Sequence, residues 1–423
     1  MNVLIAGARG FIGSRLAAAL RDAGHTVSGG GRRDSASRAI LPGWLDLDFV
    51  ARRPGDWARA MAGIDVVINA VGILRERRGQ KFDDLHTNGP QALFTAAQAA
   101  GVKRVIQISA LGADEHATAR YHHSKHQADR FLMQLPIEWI IVQPSLVYGT
   151  GGSSAALFET LASLPFILVP GDGSQRVQPV HVDDLIEALV RLVETKQARK
   201  VLHVVGPEEL TLRIFLVSLR SALGLPRTWV LKIPRPLVWL AARAGNLVPG
   251  FLLDAETLAM LERGNTASAQ PLTEVLGRAP RPVKEFIRGA EQHVFGAAAQ
   301  FRWLEWLLRA GIGSMWLIAG IVSLGLYPVD SSLQLLLRVG VPVSVAPMLL
   351  TGAASLDIVL GVLTLWPRAP RWLWSAQIAL VTIYTIIITL RLPALWLEPF
   401  GPVAKNLPIL AMLILMRQLA MRR

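Results

Sequence analysis

Four long apolar runs crowd the C-terminal part of this chain, and that constrains its fold more than any other feature. Ala310–Val329 carries no charge over twenty residues. Val339–Leu356 follows and extends to Trp366 if Asp357 is accepted. Trp372–Leu390 is the third run, and Pro399–Met416, interrupted by Lys405, is the fourth. A helix needs about 20 apolar residues, at ~1.5 Å each, to cross a bilayer. Four such runs in succession exceed what soluble helices carry, so they predict an all-α four-span membrane domain. Arg302 and Arg309 precede the first run, Arg368 and Arg371 separate the second from the third, and Arg417, Arg422 and Arg423 follow the fourth. The other two connections hold only Arg338 and Arg391. Positive charge stays on the cytoplasmic side, so both termini are expected there, in a cytoplasmic (inner) membrane. The opening MNVLIAG has no basic stretch of a signal peptide, in keeping with that orientation. Trp303, Trp306, Trp366, Trp372, Trp374 and Trp396 lie near run ends, as an interfacial belt places them. Asp357 and Lys405 are charges inside predicted spans, expected to face protein, water or a polar ligand.

Composition changes near residue 300. All nine histidines precede it, and seven of the twelve tryptophans follow it. The earlier part alternates β-branched runs (Val3–Ala6, Ile64–Asn69, Arg104–Ile108, Trp139–Val142) with helical stretches (Phe11–Ala23, Gly89–Ala100, His122–Gln134). This alternation predicts an α/β doubly wound parallel sheet. The net charge of +13 fits anionic lipid or an anionic cofactor. No aromatic-rich basic run supports nucleic acid. The chain has no cysteine, which excludes disulfides, Cys-ligated zinc, iron–sulfur clusters and thiol catalysis.

Gly7-Ala8-Arg9-Gly10-Phe11-Ile12-Gly13 follows the first strand at once and opens a helix. Such glycines let the backbone turn and approach a pyrophosphate, which rests on the helix N-terminus in a Rossmann-type site. The second strand, His25–Ser28, runs into Gly29-Gly30-Gly31-Arg32-Arg33. An acid here would hold a ribose 2′-hydroxyl, whereas two arginines attract a 2′-phosphate. NADP(H) is therefore favoured over NAD(H), with Arg32, Arg33 and Arg9 as candidates. Asp48 is expected at the adenine edge, with Asp46 as the rival. Asn69-Ala70-Val71-Gly72 ends the fourth strand beside the cofactor.

Ser109 ends the fifth strand, and Tyr121 and Lys125 follow in YHHSK. Residues i and i+4 share a helix face. The ammonium of Lys125 would lower the phenol's pKa and hold the nicotinamide ribose. Ser109 would bind the substrate oxygen, and Tyr121 would exchange the proton. His122, His126 and Asp129 have spacing from which a metal site can be drawn. His122 and His123 adjoin the tyrosine and are expected to face solvent or substrate, so no metal is assigned.

The strings GARGFIG, NAVG, HTNGPQALFTAAQAAGVKRVIQIS, YHHSK, QPSLVYG and VHVDD resemble the short-chain dehydrogenase/reductase superfamily in its extended and atypical branches, over residues 1 to about 190. The resemblance implies that Pro144, Ser145 and Val147 line the nicotinamide side and that Asn88 supports the strand ends. It also implies that His181, Val182 and Asp183 belong to the substrate side. DVVINAVGIL and Gly206-Pro207 with Thr211 resemble the subgroup that includes the nucleotide-binding accessory subunit of respiratory complex I. Members of that subgroup can hold NADPH without turnover. Residues from about 301 resemble the DoxX-like membrane family through the four runs and PFGPVAKNLP.

The expectation is a nucleotide-binding domain over residues 1–300, with a small substrate subdomain at about 191–300, and a membrane domain over 301–423. Ile233–Leu253, apolar but broken by prolines, is either an amphipathic element at the membrane surface or a pocket lid. The function expected is an NADP(H)-dependent oxidoreductase acting on a small lipophilic or quinone-like substrate. A non-catalytic NADPH-binding member of a membrane complex is the alternative.

Overall fold

The computed structural model describes residues 1–32, 44–50, 54–77, 79–245, 255–367, 369–399 and 401–421. Arg33, Arg368, Arg422 and Arg423 of the sequence expectations lie outside the described residues. The chain divides into two compact units, Met1–Ala299 and Gln300–Arg423.

The first unit is built on a seven-stranded sheet. Its strands are β1 (Asn2–Ala6), β2 (Thr26–Gly31), β3 (Leu45–Asp46), β4 (Val66–Asn69), β5 (Arg104–Ile108), β6 (Glu138–Pro144) and the edge strand Lys200–Val204. The order runs edge strand, β6, β5, β4, β1, β2, β3, and every pair is parallel. Side chains alternate across the pleat, so each strand feeds two cores. Val3, Ile5, Ile68, Ile106 and Ile140 pack under helices Phe11–Asp22 and Val182–Glu194. Leu4, Val67, Val105 and Ile141 pack under Gly89–Ala99 and Arg120–Gln134. Burial on both faces is why these strands read as continuous apolar runs. Chain order reverses between β1 and β4, which opens a crevice at their carboxyl ends. A third core, around Phe215, Leu216, Ile167 and Val169, belongs to the smaller subdomain.

The second unit is helical. Three helical stretches are long and apolar enough to cross a membrane: Gly289–Leu326, Ala346–Leu365 and Arg371–Arg391. Asn406–Met421 is apolar but shorter. The second run is shifted from its expected place. Pro347 lacks an N–H and is accommodated in a helix's first turn, so the helix starts at Ala346 and passes Asp357 to Leu365. Lys405 lies in the turn before the last helix, where its N–H meets Gly401 O. Trp374 lies in the first turn of its helix, as expected, and is fully buried there, with the Arg309 guanidinium 5.3 Å from its ring. Arg309 is itself buried and bonds Glu305, one helical turn back, at 3.1 Å. Trp316 donates to Gln377, which donates to Thr364.

The glycine loop is the tightest packing around the crevice. A Cβ on Gly13 would lie 2.2 Å from Gly7 O, whereas one on Gly289 would meet nothing within 4 Å. Gly13→Ala should therefore destabilise the first unit by about 1–3 kcal/mol, and Gly289→Ala should change little. Chemical denaturation of the two variants in detergent checks this; equal stabilities would refute the packing argument.

Candidate active site

The loop after β1 is shaped to receive an anion. Gly7 sits at φ +82°, and a Cβ there would come within 3.0 Å of the Ala70 and Val71 backbone. Gly10 N–H closes the turn on Gly7 O at 2.9 Å. Gly10 then caps helix Phe11–Asp22, whose first turn has neither an acid nor a side-chain cap. Its leading N–H groups and dipole are available to a phosphate. Phe11 and Ile12 are half-buried and pack on the core. A Cβ on Gly152 would lie 3.1 Å from the Phe11 ring, which keeps this rim of the crevice narrow.

The adenosine side is less uniform. Gly30 and Gly31 let Leu47 and Trp44 approach β2 closely. Arg9 lies over the Trp44 ring at 5.7 Å, and Arg32 is exposed just beyond β2. Asp46 pairs with Gly31 in the β2–β3 ladder, while Asp48 takes the Val50 N–H at 2.9 Å. Asn69 is fully buried: it donates to Gln107 at 2.7 Å and accepts from Val71 N–H, so it shapes the strand end rather than facing a ligand. Ser145 is equally inward, donating to Gln178 O. Pro144 O takes the Leu111 N–H, which joins the end of β6 to the loop after β5. Val147 pairs with Val180 in a short parallel ladder. His181 Nδ1 caps helix Val182–Glu194 by accepting the Asp183 N–H. Asn88 is half-buried where the wide turn Asp83–Asn88 enters helix Gly89–Ala99.

Helix Arg120–Gln134 carries Tyr121 and Lys125. Lys125 is buried, and its ammonium donates to Val71 O at 3.1 Å and Ile108 O at 3.0 Å. It thus bridges the chain just beyond β4 to the end of β5. Burial holds its pKa below the usual lysine value. The Tyr121 ring packs edge-on against Phe82, His86 and His122. Its phenol is not acidified as the spacing suggested. Burial first, and then the Asp129 carboxylate, push it up to about 12. The ammonium is engaged with two carbonyls instead, and desolvation of the phenolate dominates. Tyr121 therefore stays protonated at neutral pH, as a proton donor must.

Ser109 departs further from expectation. Its hydroxyl donates to Asp129 Oδ2 at 2.5 Å, with both residues buried. A hydroxyl has one proton to give, and here Ser109 gives it to Asp129. Burial raises the Asp129 carboxyl, against the opposing hydrogen bond from Ser109 and charge of Lys125. Asp129 follows Lys125 by four residues, and that spacing alone could have placed it on the same helix face. It also lines a cavity of about 450 Å³ with Gly112, Met133, Gln143, His203 and Arg263. Among the described residues, no three His, Asp or Glu side chains are grouped to hold a metal.

His86, which the sequence did not single out, ties the site to its neighbours. Ile73 N–H is a fixed donor to His86 Nε2 at 2.9 Å, so Nε2 must accept. Nδ1 then carries the proton and donates to Ser124 Oγ at 3.1 Å, and Ser124 passes its own to Tyr121 O. Thr87 donates to Ser124 O alongside. His86 is fully buried, and burial followed by the Lys125 charge lowers its pKa to about 2.

That shift has a stability consequence. Between about pH 2 and 6.5 the unfolded imidazole binds a proton that the native one refuses, so stability is complete above 6.5 and falls as pH falls. The slope is about 1.4 kcal/mol per pH unit for one such group. His122, lowered to about 4 chiefly by burial, adds to it. His86→Gln should flatten the decline between pH 6.5 and 5 in denaturation midpoints of the full chain. An unchanged slope would show that His86 is not the buried neutral group.

Comparison with known proteins follows the same division. Residues 3–205 match the NAD dependent epimerase/dehydratase family, and residues 313–414 match the DoxX-like family. The chain is 31% identical over 199 residues to ceramide reductase of Caulobacter vibrioides, covering 46% of this chain and 61% of that protein. It is 30% identical over 195 residues to NADH dehydrogenase [ubiquinone] 1 alpha subcomplex subunit 9, mitochondrial, of Arabidopsis thaliana, covering 44% and 48%. The chain therefore spans about three-fifths and about half of these relatives' lengths. The NADPH-dependent quinone oxidoreductase of Escherichia coli has the same fold, with a TM-score of 0.55 at 17% identity over 69% of this chain and 99% of that one. The chain thus joins a short-chain-dehydrogenase-like NAD(P)-binding Rossmann domain of the epimerase/dehydratase type to a DoxX-like membrane domain.

Proposed function

We propose that the chain is a membrane-anchored NADP(H)-dependent oxidoreductase acting on a lipophilic carbonyl or hydroxyl compound or a quinone. The observation that carries this reading is the Tyr121–Lys125 pair one helical turn apart, with the Lys125 ammonium on Val71 O, whose residue packs against Gly7 of the glycine loop. The crevice fits a dinucleotide. Gly7 and Gly13 let the loop fold closely on the strand end and the helix start, and the uncapped helix at Gly10 supplies N–H donors for a pyrophosphate. An ammonium has three donors. Two of those on Lys125 go to carbonyls, and the third serves a ribose hydroxyl. When bound, the nicotinamide exchanges a hydride with the substrate. Tyr121 gives the accompanying proton, while Asp129 and Ser109 fix the helix that carries it.

A 2′-phosphate is favoured by Arg32 beyond β2 and Arg9 in the loop, with Arg33 adding charge in the sequence. A lipophilic substrate is favoured by the DoxX-like domain and by likeness to a ceramide reductase. We place the second unit across the cytoplasmic membrane with four spans. The nucleotide-binding domain and both termini are then cytoplasmic, because Arg302, Arg371 and Arg417 lie on one side of that arrangement. A non-catalytic NADPH-binding subunit of a membrane complex is the second reading. Two observations favour it: the likeness to a complex I subunit, and the commitment of Ser109 to Asp129.

Tyr121→Phe removes one oxygen. Turnover should fall about 10²–10⁴-fold, as when a positioned acid–base group is lost, with NADPH affinity little changed. Steady-state kinetics beside calorimetry test this, and full turnover in the variant rejects the assignment. Tight NADPH binding by the unaltered chain, with no turnover on carbonyl, quinone and nucleotide-sugar substrates, favours the second reading. Arg32→Asp with Arg33→Ala should weaken NADPH far more than NADH; equal losses by calorimetry contradict the NADP preference.

A further inference from the structure

The first unit presents an apolar face that its own core does not use. Strand Ile167–Pro170 pairs in parallel with Val230–Ile233, in register Leu168 with Leu231. Ile167 and Val169 are fully buried, and the alternate residue Leu168 turns outward with its partner Leu231. Phe166 and Trp229 extend the same face one step back, where Ile167 N–H meets Trp229 O. They are 50% and 77% exposed. The chain then enters helix Arg235–Gly245. Val238 and Ala242, one turn apart, are buried against Leu258, which leaves Leu237 and Leu240 outward at 56% and 66% exposure. The helix start abuts the sheet: a Cβ on Gly171, at the end of the first strand, would lie 3.4 Å from Arg235 Nε. Scattered exposed leucines are ordinary on a protein surface, but six large apolar side chains exposed on one short sheet and the helix that adjoins it mark an interaction site.

The charge around the patch is predominantly positive. Residues 226–245 hold Arg227, Lys232, Arg235 and Arg243 and no acid. Asp172 is the nearby carboxylate, acting on Arg235 while it accepts from the Ser174 hydroxyl and N–H. Large apolar side chains rimmed by Lys and Arg suit the boundary between lipid headgroups and acyl chains.

We propose that this face rests on an anionic bilayer surface. Phe166, Leu168, Trp229, Leu231, Leu237 and Leu240 enter the headgroup boundary, and the basic residues meet lipid phosphates. The proposal rests on the membrane placement above and adds a second membrane contact, on the nucleotide-binding unit. The charge pattern selects the occupant: an anionic plane matches a rim of four cations and one carboxylate, Asp172, better than a protein surface of mixed charge does.

The chain's lack of cysteine makes the test direct. Leu168→Cys, Leu231→Cys and Leu240→Cys are introduced singly in the full chain, labelled with a nitroxide and reconstituted into phosphatidylglycerol–phosphatidylcholine vesicles. Glu115→Cys, at an exposed position, is the aqueous reference. Paramagnetic relaxation by oxygen and by a water-soluble nickel chelate reads the surroundings of each label. The ratio of oxygen to nickel accessibility should be several-fold higher at the three leucine positions than at residue 115, and should drop in vesicles of phosphatidylcholine alone. Ratios equal to that at residue 115 put the face in water and overturn the proposal. Low accessibility to both reagents means that protein covers the face, which also overturns it. Flotation separates the two levels of the argument. A chain that fails to float with vesicles sinks the membrane reading itself, whereas a floating chain with aqueous labels sinks only the surface contact.

Discussion

The buried ammonium of Lys125 is the constraint on which the first unit's chemistry depends. Its bonds to Val71 O and Ile108 O tie the helix that carries Tyr121 to the ends of the two central strands. A buried charge is costly unless it is paired and hydrogen-bonded. Here it is compensated by two carbonyl dipoles and, along the same helix face, by Asp129. The helix is therefore held over the carboxyl ends of β4 and β5, with Tyr121 one turn before the ammonium. The sheet order puts the glycine loop and the uncapped helix at the crevice between β1 and β4. One side chain thus fixes the helix of Tyr121 to a strand end that borders this crevice.

Burial also sets the protonation of the cluster. The phenol is raised and the imidazole of His86 is lowered, both chiefly by desolvation, so each stays neutral at neutral pH. A protonated phenol is suited to giving a proton to a developing oxyanion. The neutral imidazole has a fixed tautomer, set by the Ile73 N–H, and passes that order through Ser124 to the backbone of Tyr121 itself. The hydroxyl at the end of β5 serves this scaffold by binding Asp129.

Much of this was legible in the sequence, because it rests on local period and spacing. Strand–helix alternation gave the parallel sheet, since strands buried on both faces are continuous apolar runs. The glycine loop announced itself by the strand before it and the helix after it. What escaped depended on partners distant in the chain. Ser109 looked free because Asp129 is twenty residues on and across a sheet–helix interface. His86 has no motif of its own, and its role comes from a loop N–H and a serine 38 residues away. Trp374 stands near a span end as read, but hydropathy could not tell a lipid-facing ring from one packed beneath Arg309. The second span was displaced because an apolar run can continue through Pro342 and Pro347, whereas a helix starts at such a residue rather than running through it.

The central claim is that Lys125 both ties the two strands to the helix and holds nucleotide, and Lys125→Met tests it most directly. The substitution keeps an unbranched side chain but removes every donor, leaving two buried carbonyls without their partner at about 1–3 kcal/mol each. Denaturation and NADPH calorimetry on the full chain in detergent should show stability falling by that order and nucleotide affinity falling with it. A variant as stable as the unaltered chain, with unchanged NADPH affinity, would contradict the account.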